Sequence, residues 1–149
     1  MEAIMIARAQ RQRIRIVNKN DLIALLNEDF ARECRSIYAH AVFAERYRTS
    51  DPGALAEIEK LGHESVRAAL TLCQMIYDYG GTVEDPGDEL NFVLNADRVA
   101  EPRWAADTIL RLRMRIGQLR AIGEPGLAKR LRPIVAAKRA APDLASLLP

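Results

Sequence analysis

Little in this chain can stack, cross-link or change charge near neutral pH. Phe, Trp and Tyr make up 5% of 149 residues, and there are two cysteines and two histidines. So few aromatics beside abundant Ala, Leu, Ile and Arg argue against a β-sandwich and for helices packed on helices. Cys34 and Cys73 each fall inside a helical pattern and share no CxxC spacing, so they read as buried thiols of a reduced compartment and not as a disulfide or zinc pair. No apolar run approaches the roughly 20 residues of a membrane span. The opening MEAIMIARAQRQR has too short an apolar core for a secretory signal, which leaves a cytoplasmic address as the expectation. There is no GxGxxG, Walker loop, nucleophile elbow or triad order, and Gly80-Gly81 and Gly123 read as helix stops instead of phosphate cradles.

What is present is charge, unevenly placed. The net value is only +2, yet residues 1–19 carry about +4, residues 20–101 about −9 and residues 102–149 about +7. An acidic front half packed beside a basic back half accounts for this pattern. Without an aromatic platform or a groove-reading motif, the basic half does not point to nucleic acid.

The length suits one domain. Residues 1–19 form a short cationic N-terminal arm, and residues 20–149 form the helical domain. The first helix is expected to be capped by Asn20 or Asp21 and to run to about Arg48, before Thr49, Ser50, Asp51, Pro52 and Gly53. Its inner face reads Leu22, Leu26, Phe30, Ile37, Ala41 and Ala44. A second helix runs from Pro52 or Gly53 to Tyr79, with Leu55, Ile58, Leu61, Ser65, Ala68, Leu72 and Met75 or Ile76 inward. Residues 82–102 change composition and read as a long crossover holding a short apolar patch, Leu90 to Leu94. A third helix spans about Arg103 to Ile122, with an Asp107–Arg111 pair outside. Its Arg111, Arg113, Arg115 and Arg120 wind around it, which predicts ion pairs with the acidic half or with another subunit. Trp104 reads as an anchor between crossover and helices or as an interface residue. After a turn at Gly123 to Gly126, a fourth helix covers about Leu127 to Ala140, where Pro133 predicts a kink or a shifted start.

In the middle of the first helix's apolar face sits Glu33. A carboxylate on a buried seam needs a metal, a cation or hydrogen-bond donors to offset its desolvation. Three readings follow. Glu33 pairs with a cation, Lys138 first and Arg67 or Arg113 otherwise, as a polar pin in the core. It is held protonated or hydrated near Ser65 and His40. Or it is one ligand of an altered single-metal site with His40, His63 or Glu64.

LIALLNEDFARE, ALTLCQMIYDYGG and RIGQLRAIGEPGLAKRL resemble the helix A, end-of-helix B and C-to-D hairpin segments of bacterioferritin-type proteins. The resemblance covers residues 21 to about 145 and implies a ferritin-like four-helix bundle, two helical hairpins joined by a long crossover. Active members of that superfamily hold two iron or manganese ions with one Glu from helix A, one from helix C and a Glu-x-x-His pair from each of B and D. Glu33 matches the helix A ligand. By counting, the others fall on Ser65 and Ala68, on Ala105, and near Lys138 and Ala141, and no Glu-x-x-His occurs in the chain. The resemblance with these departures implies a ferritin-like protein that has lost its di-metal centre. Such a protein acts in structure or interaction, with no resident cofactor and no catalytic residue. It is expected to be a homo-oligomer, dimer or larger, that meets protein partners but neither nucleic acid nor membrane. The alternative is an oxidoreductase or metal-handling protein with a rearranged iron or manganese site built from Glu33, His40, His63 and Glu64.

Overall fold

The computed structural model of the chain describes residues 17–87 and 96–148, and these are all-helical, without strands. Four long helices, α1 (Lys19–Tyr47), α2 (Pro52–Asp78), α4 (Pro102–Ala121) and α5 (Pro125–Ala140), are joined by two single turns, α3 (Ala96–Val99) and α6 (Leu144–Leu147). The N-terminal arm up to residue 16 and the Leu90–Leu94 patch lie outside the described residues. Helix α1 packs along α2 and α4 along α5, and the two pairs meet through α1 on α4 and α2 on α5. None of these helices is long and apolar enough to cross a membrane.

Local chemistry sets the helix ends. Helix α1 starts earlier than expected, because Asn18, not Asn20 or Asp21, is its cap. The Asn18 side chain accepts from the Asp21 N–H at 2.9 Å and the Asp21 carboxylate accepts from the Asn18 N–H at 3.2 Å, so Asp21 serves at the third helical position. Asp51 caps α2 through the Ala54 N–H at 3.1 Å, with Pro52 at the first position, where its missing N–H costs nothing. Helices α2 and α4 end alike. Gly80 and Gly123 take φ of +84° and +88°, and the following N–H groups reach back to Ile76 O (2.8 Å) and Leu119 O (2.8 Å), closing both ends by the same motif. Helix α5 begins at Pro125, two residues before the expected Leu127, because proline fits a first helical turn. It continues through Pro133, whose ring lies on the exposed side, so the carbonyl it orphans is left to water.

The inner stripe of α1 differs from the apolar pattern. Leu22 and Leu26 are buried as expected, but Ala41 is exposed and Phe30, Ile37 and Ala44 are half-buried. Burial instead follows Leu22, Leu26, Asp29, Glu33, Ser36, His40 and Phe43, with steps of four and three throughout. That is the heptad spacing of a helix kept in register with a neighbour. On α2 the stripe is Ile58, Ser65, Ala68, Leu72, Met75 and Tyr79, and on α5 it is Ala128, Leu131 and Val135. Two apolar clusters result. One holds Leu22, Leu26, Leu72, Met75, Leu119 and Leu131. The other holds Ala39, Phe43, Ile58, Val99 and Leu144. Polar side chains fill the stratum between them.

Buried Asn27 fastens the start of the crossover. Its amide donates to Thr82 O at 3.0 Å and its carbonyl oxygen accepts from the Glu84 N–H at 2.8 Å. Next to this staple, a Cβ on Gly81 would lie 2.6 Å from Ile23 Cγ2 and 3.1 Å from Ile76 Cγ2. Gly81→Ala is therefore expected to destabilise the fold by about 1–3 kcal/mol through overpacking. Gly126→Ala, where nothing lies within 4 Å, is the control and should leave the urea midpoint unchanged.

Candidate functional site

The polar stratum opens into a cleft of ≈ 80 Å³ between α1, α2, the start of α4 and the end of α5. Glu33 forms its floor and is 1% exposed. Lys138 reaches across from α5, its Nζ 2.9 Å from Oε1 and 3.0 Å from Oε2 of Glu33. The ammonium thus spans both carboxylate oxygens, and the Ser65 hydroxyl is a further donor to the carboxylate. Burial raises the Glu33 pKa, while the Lys138 charge and its hydrogen bond pull the other way.

Beside this pair, Ser36 Oγ and Ser65 Oγ lie 2.8 Å apart and tie α1 to α2. His40 Nδ1 is within reach of both the carbonyl and the hydroxyl of Ser36. A carbonyl only accepts, so Nδ1 carries the proton and Nε2 is left as an acceptor. Burial lowers the His40 pKa, against the Ser36 carbonyl, so the ring is held neutral at pH 7. On the α4 side, the Arg32 guanidinium lies 4.0 Å from the centre of the Trp104 ring, donates to Thr108 Oγ1 at 3.1 Å and pairs with Asp107 at 3.0 Å. Asp107 also takes the expected contact from Arg111, at 3.2 Å.

One turn along α1 lies a second buried pair. Arg115 Nε donates to Asp29 Oδ2 at 2.7 Å and a terminal nitrogen reaches Oδ1 at 3.3 Å. The other terminal nitrogen donates to Gln118 Oε1 at 2.8 Å, and the side chains of Arg115 and Asp29 are 3% and 2% exposed. Burial still outweighs the two-pronged arginine and lifts the Asp29 pKa to about 6.

Sequence reasoning singled out Glu33, His40, His63, Glu64 and Lys138. The structure brings Glu33, His40, Glu64 and Lys138 to one cleft, whereas His63 is exposed and outside it. Arg67 and Arg113, the other cations considered for Glu33, are also exposed. Ser65, Ala105 and Ala141, which the counted register had given as vacated ligand positions, line the same cleft. These residues do not fit a pair of divalent ions. Among the described residues, no three His, Cys, Asp or Glu side chains converge on a point where an ion could sit. An ammonium stands against the one deeply buried carboxylate of the cleft. Arg115 belongs to the arginines expected to pair with the acidic half and does so with Asp29, whereas Asp29 and Ser36 look like a solvated face until their heptad step is counted, and Gln118 and Asn27 carry no such spacing.

The chain matches no known family model, no curated protein and no solved structure.

Proposed function

We propose that the chain is a ferritin-like four-helix bundle without its di-metal centre, working as a structural or interaction protein and not in iron storage or oxidation. The observation that carries this reading is the Lys138 ammonium against both oxygens of Glu33. A lysine there supplies the positive charge that a metal would otherwise bring, and holds α5 in register with α1. The reading is further supported by five of the six counted ligand positions, Glu33, Ser65, Ala105, Lys138 and Ala141, which line one cleft, while the sixth, Ala68, does not.

The bundle offers a seam for a second copy of itself. Val66, Leu70 and Tyr77 on α2 are 38%, 66% and 58% exposed, and with Cys73 they follow steps of four, three and four. Apolar residues at that spacing suit a helix partner, and an identical helix run antiparallel presents the same seam. The experiment combines metal analysis with sedimentation. The purified protein, incubated with iron(II) or manganese(II) and desalted, is expected to retain no stoichiometric metal and to sediment as a dimer or larger that Leu70→Glu dissociates. Two metals per chain would overturn the loss of the centre, and one metal abolished by Glu33→Ala would establish the rearranged site instead. A monomeric wild type would remove the self-association.

A further inference from the structure

The cations of α4 and α5 fall into two sets. Arg111, Arg115, Arg130 and Lys138 each pair with a carboxylate of the chain. Arg113, Arg120, Lys129, Arg132 and Arg139 are exposed and have no ion-pair partner among the described residues. The helical wheel puts this second set in one place. On α4, Gln118 stands one residue before buried Leu119 and turns toward α1, where it meets Arg115 of the Asp29 pair. Arg113 and Arg120, one residue after Leu112 and Leu119, therefore turn the other way, to the side of α5. On α5, Arg130 stands one residue before buried Leu131 and pairs with Asp78 of α2, so Arg132 and Arg139 turn to the side of α4. The two rows flank one outer groove of the α4–α5 hairpin, with Arg113 and Arg132 nearly equidistant from the turn at Gly123 and Lys129 one turn from Arg132. They cover about 20 Å of helix. From Thr108 to Ala140 the only acidic residue is half-buried Glu124, so the groove carries no offsetting charge of its own.

Five unpaired cations along one groove fit a partner of opposite charge and similar extent. The chain holds such a segment itself. Residues 84–101, most of the crossover, carry six acidic residues and one basic, and exposed Glu84 and Asp85 have no ion-pair partner among the described residues. The described ends of the crossover are fixed on α1, by Asn27 at Thr82 and Glu84 and by α3, whose Asp97 pairs with Arg46. The groove opens on the far side of α4 and α5, away from α1. A chain's own crossover is thus held apart from its groove, and the crossover of a second copy is the segment that can meet it. Nucleic acid would answer the same charge, but residues 105–140 contain no aromatic side chain on which a base could stack.

We propose that the outer groove of the α4–α5 hairpin seats the acidic crossover of a second copy of the chain. The two surfaces differ, so the contact is heterologous and repeats into chains or rings. It is separate from the α2 seam and from the lost metal centre, and it stands or falls independently of both.

The test is sedimentation of the full chain carrying Leu70→Glu, which keeps the α2 seam out of the measurement. At about 0.5 M salt this protein is expected to be a monomer, and at about 0.05 M to form dimers and larger species with Kd on the order of 100 μM, because salt screens exposed charges. Adding Arg113→Glu/Arg132→Glu, or instead Glu84→Lys/Asp85→Lys, should weaken this association at least about tenfold while the urea midpoint stays unchanged. Mixed in equal amounts, the two variants should form a one-to-one pair and stop there, since one intact groove and one intact crossover remain between them. A monomer at low salt would overturn the proposal and leave the seam untouched. So would association that ignores the reversal in the groove, or a mixture that stays unpaired. A protein that stays monomeric while binding duplex DNA or anionic vesicles would also overturn it and give the groove to another polyanion.

Discussion

Lys138→Met is expected to destabilise the protein by about 3–5 kcal/mol at pH 7.5, because it leaves the Glu33 carboxylate buried without a counter-charge. That is a large share of the roughly 5–15 kcal/mol by which a domain of this size is stable. The pair itself contributes far less than its rupture costs, since desolvation of two charges offsets most of their attraction. Glu33→Met/Lys138→Met should therefore recover most of the loss, ending within about 1.5 kcal/mol of the wild type. The single variant also carries a pH signature. Burial already raises the Glu33 pKa in the presence of Lys138, and removing the lysine takes away what opposes that rise. A carboxyl whose folded pKa lies above its unfolded value adds stability in full below the unfolded value, and that contribution is lost as pH rises through the folded one. Urea unfolding at pH 5 and pH 7.5 should therefore show a smaller deficit for Lys138→Met at the lower pH. A deficit below about 1 kcal/mol, or one independent of pH, would mean that the pair does not hold the register.

The same pair illustrates how far residues alone lead. The start of α2 and the ends of α2 and α4 were legible, because Pro52, Gly80 and Gly123 act through backbone geometry that no tertiary context changes, whereas the starts of α1 and α5 lay two residues earlier than expected. Glu33 was conspicuous as a charge among apolar neighbours. Lys138 was not, since a lysine near the end of a basic helix looks solvated, and only its counted position opposite Glu33 drew attention to it. The apolar pattern misplaced the second half of α1. It followed Ile37 and Ala41 because they are apolar, whereas the buried face passes through Ser36 and His40. Apolar periodicity finds a buried face only where that face is apolar. Here the polar stratum crosses the core halfway along α1, so the signal fails where the candidate site begins. Steps of four and three through Asp29, Glu33, Ser36 and His40 would have marked the stripe whatever its polarity. The staple at Asn27 leaves no such trace, because its partners are backbone groups of the crossover.

Asp29 and Arg115 give the second large effect, and the two act on stability with opposite pH signatures. Asp29 faces Arg115 and Arg111 of α4 and lies near Glu28 of its own helix, yet burial sets its pKa at about 6, above the ordinary 3.8. The native state thus holds a proton between those values that the unfolded chain has released. Its contribution is fully present below pH 3.8 and is lost as pH rises through about 6, an amount on the order of 3 kcal/mol. Urea midpoints measured from pH 4 to 7 should carry this falling component. Asp29→Asn, which cannot titrate, should remove it. His40 supplies a control on the sign, since its pKa is lowered by burial and its contribution is instead lost as pH falls, in both proteins alike. Arg115→Met should cost about 3–5 kcal/mol at pH 7.5, where Asp29 is ionised and unpaired and Gln118 loses its donor. It should cost much less at pH 5, where Asp29 is protonated and asks for no counter-charge. Identical slopes in the wild type and Asp29→Asn would show that the arginine, not burial, governs this carboxyl.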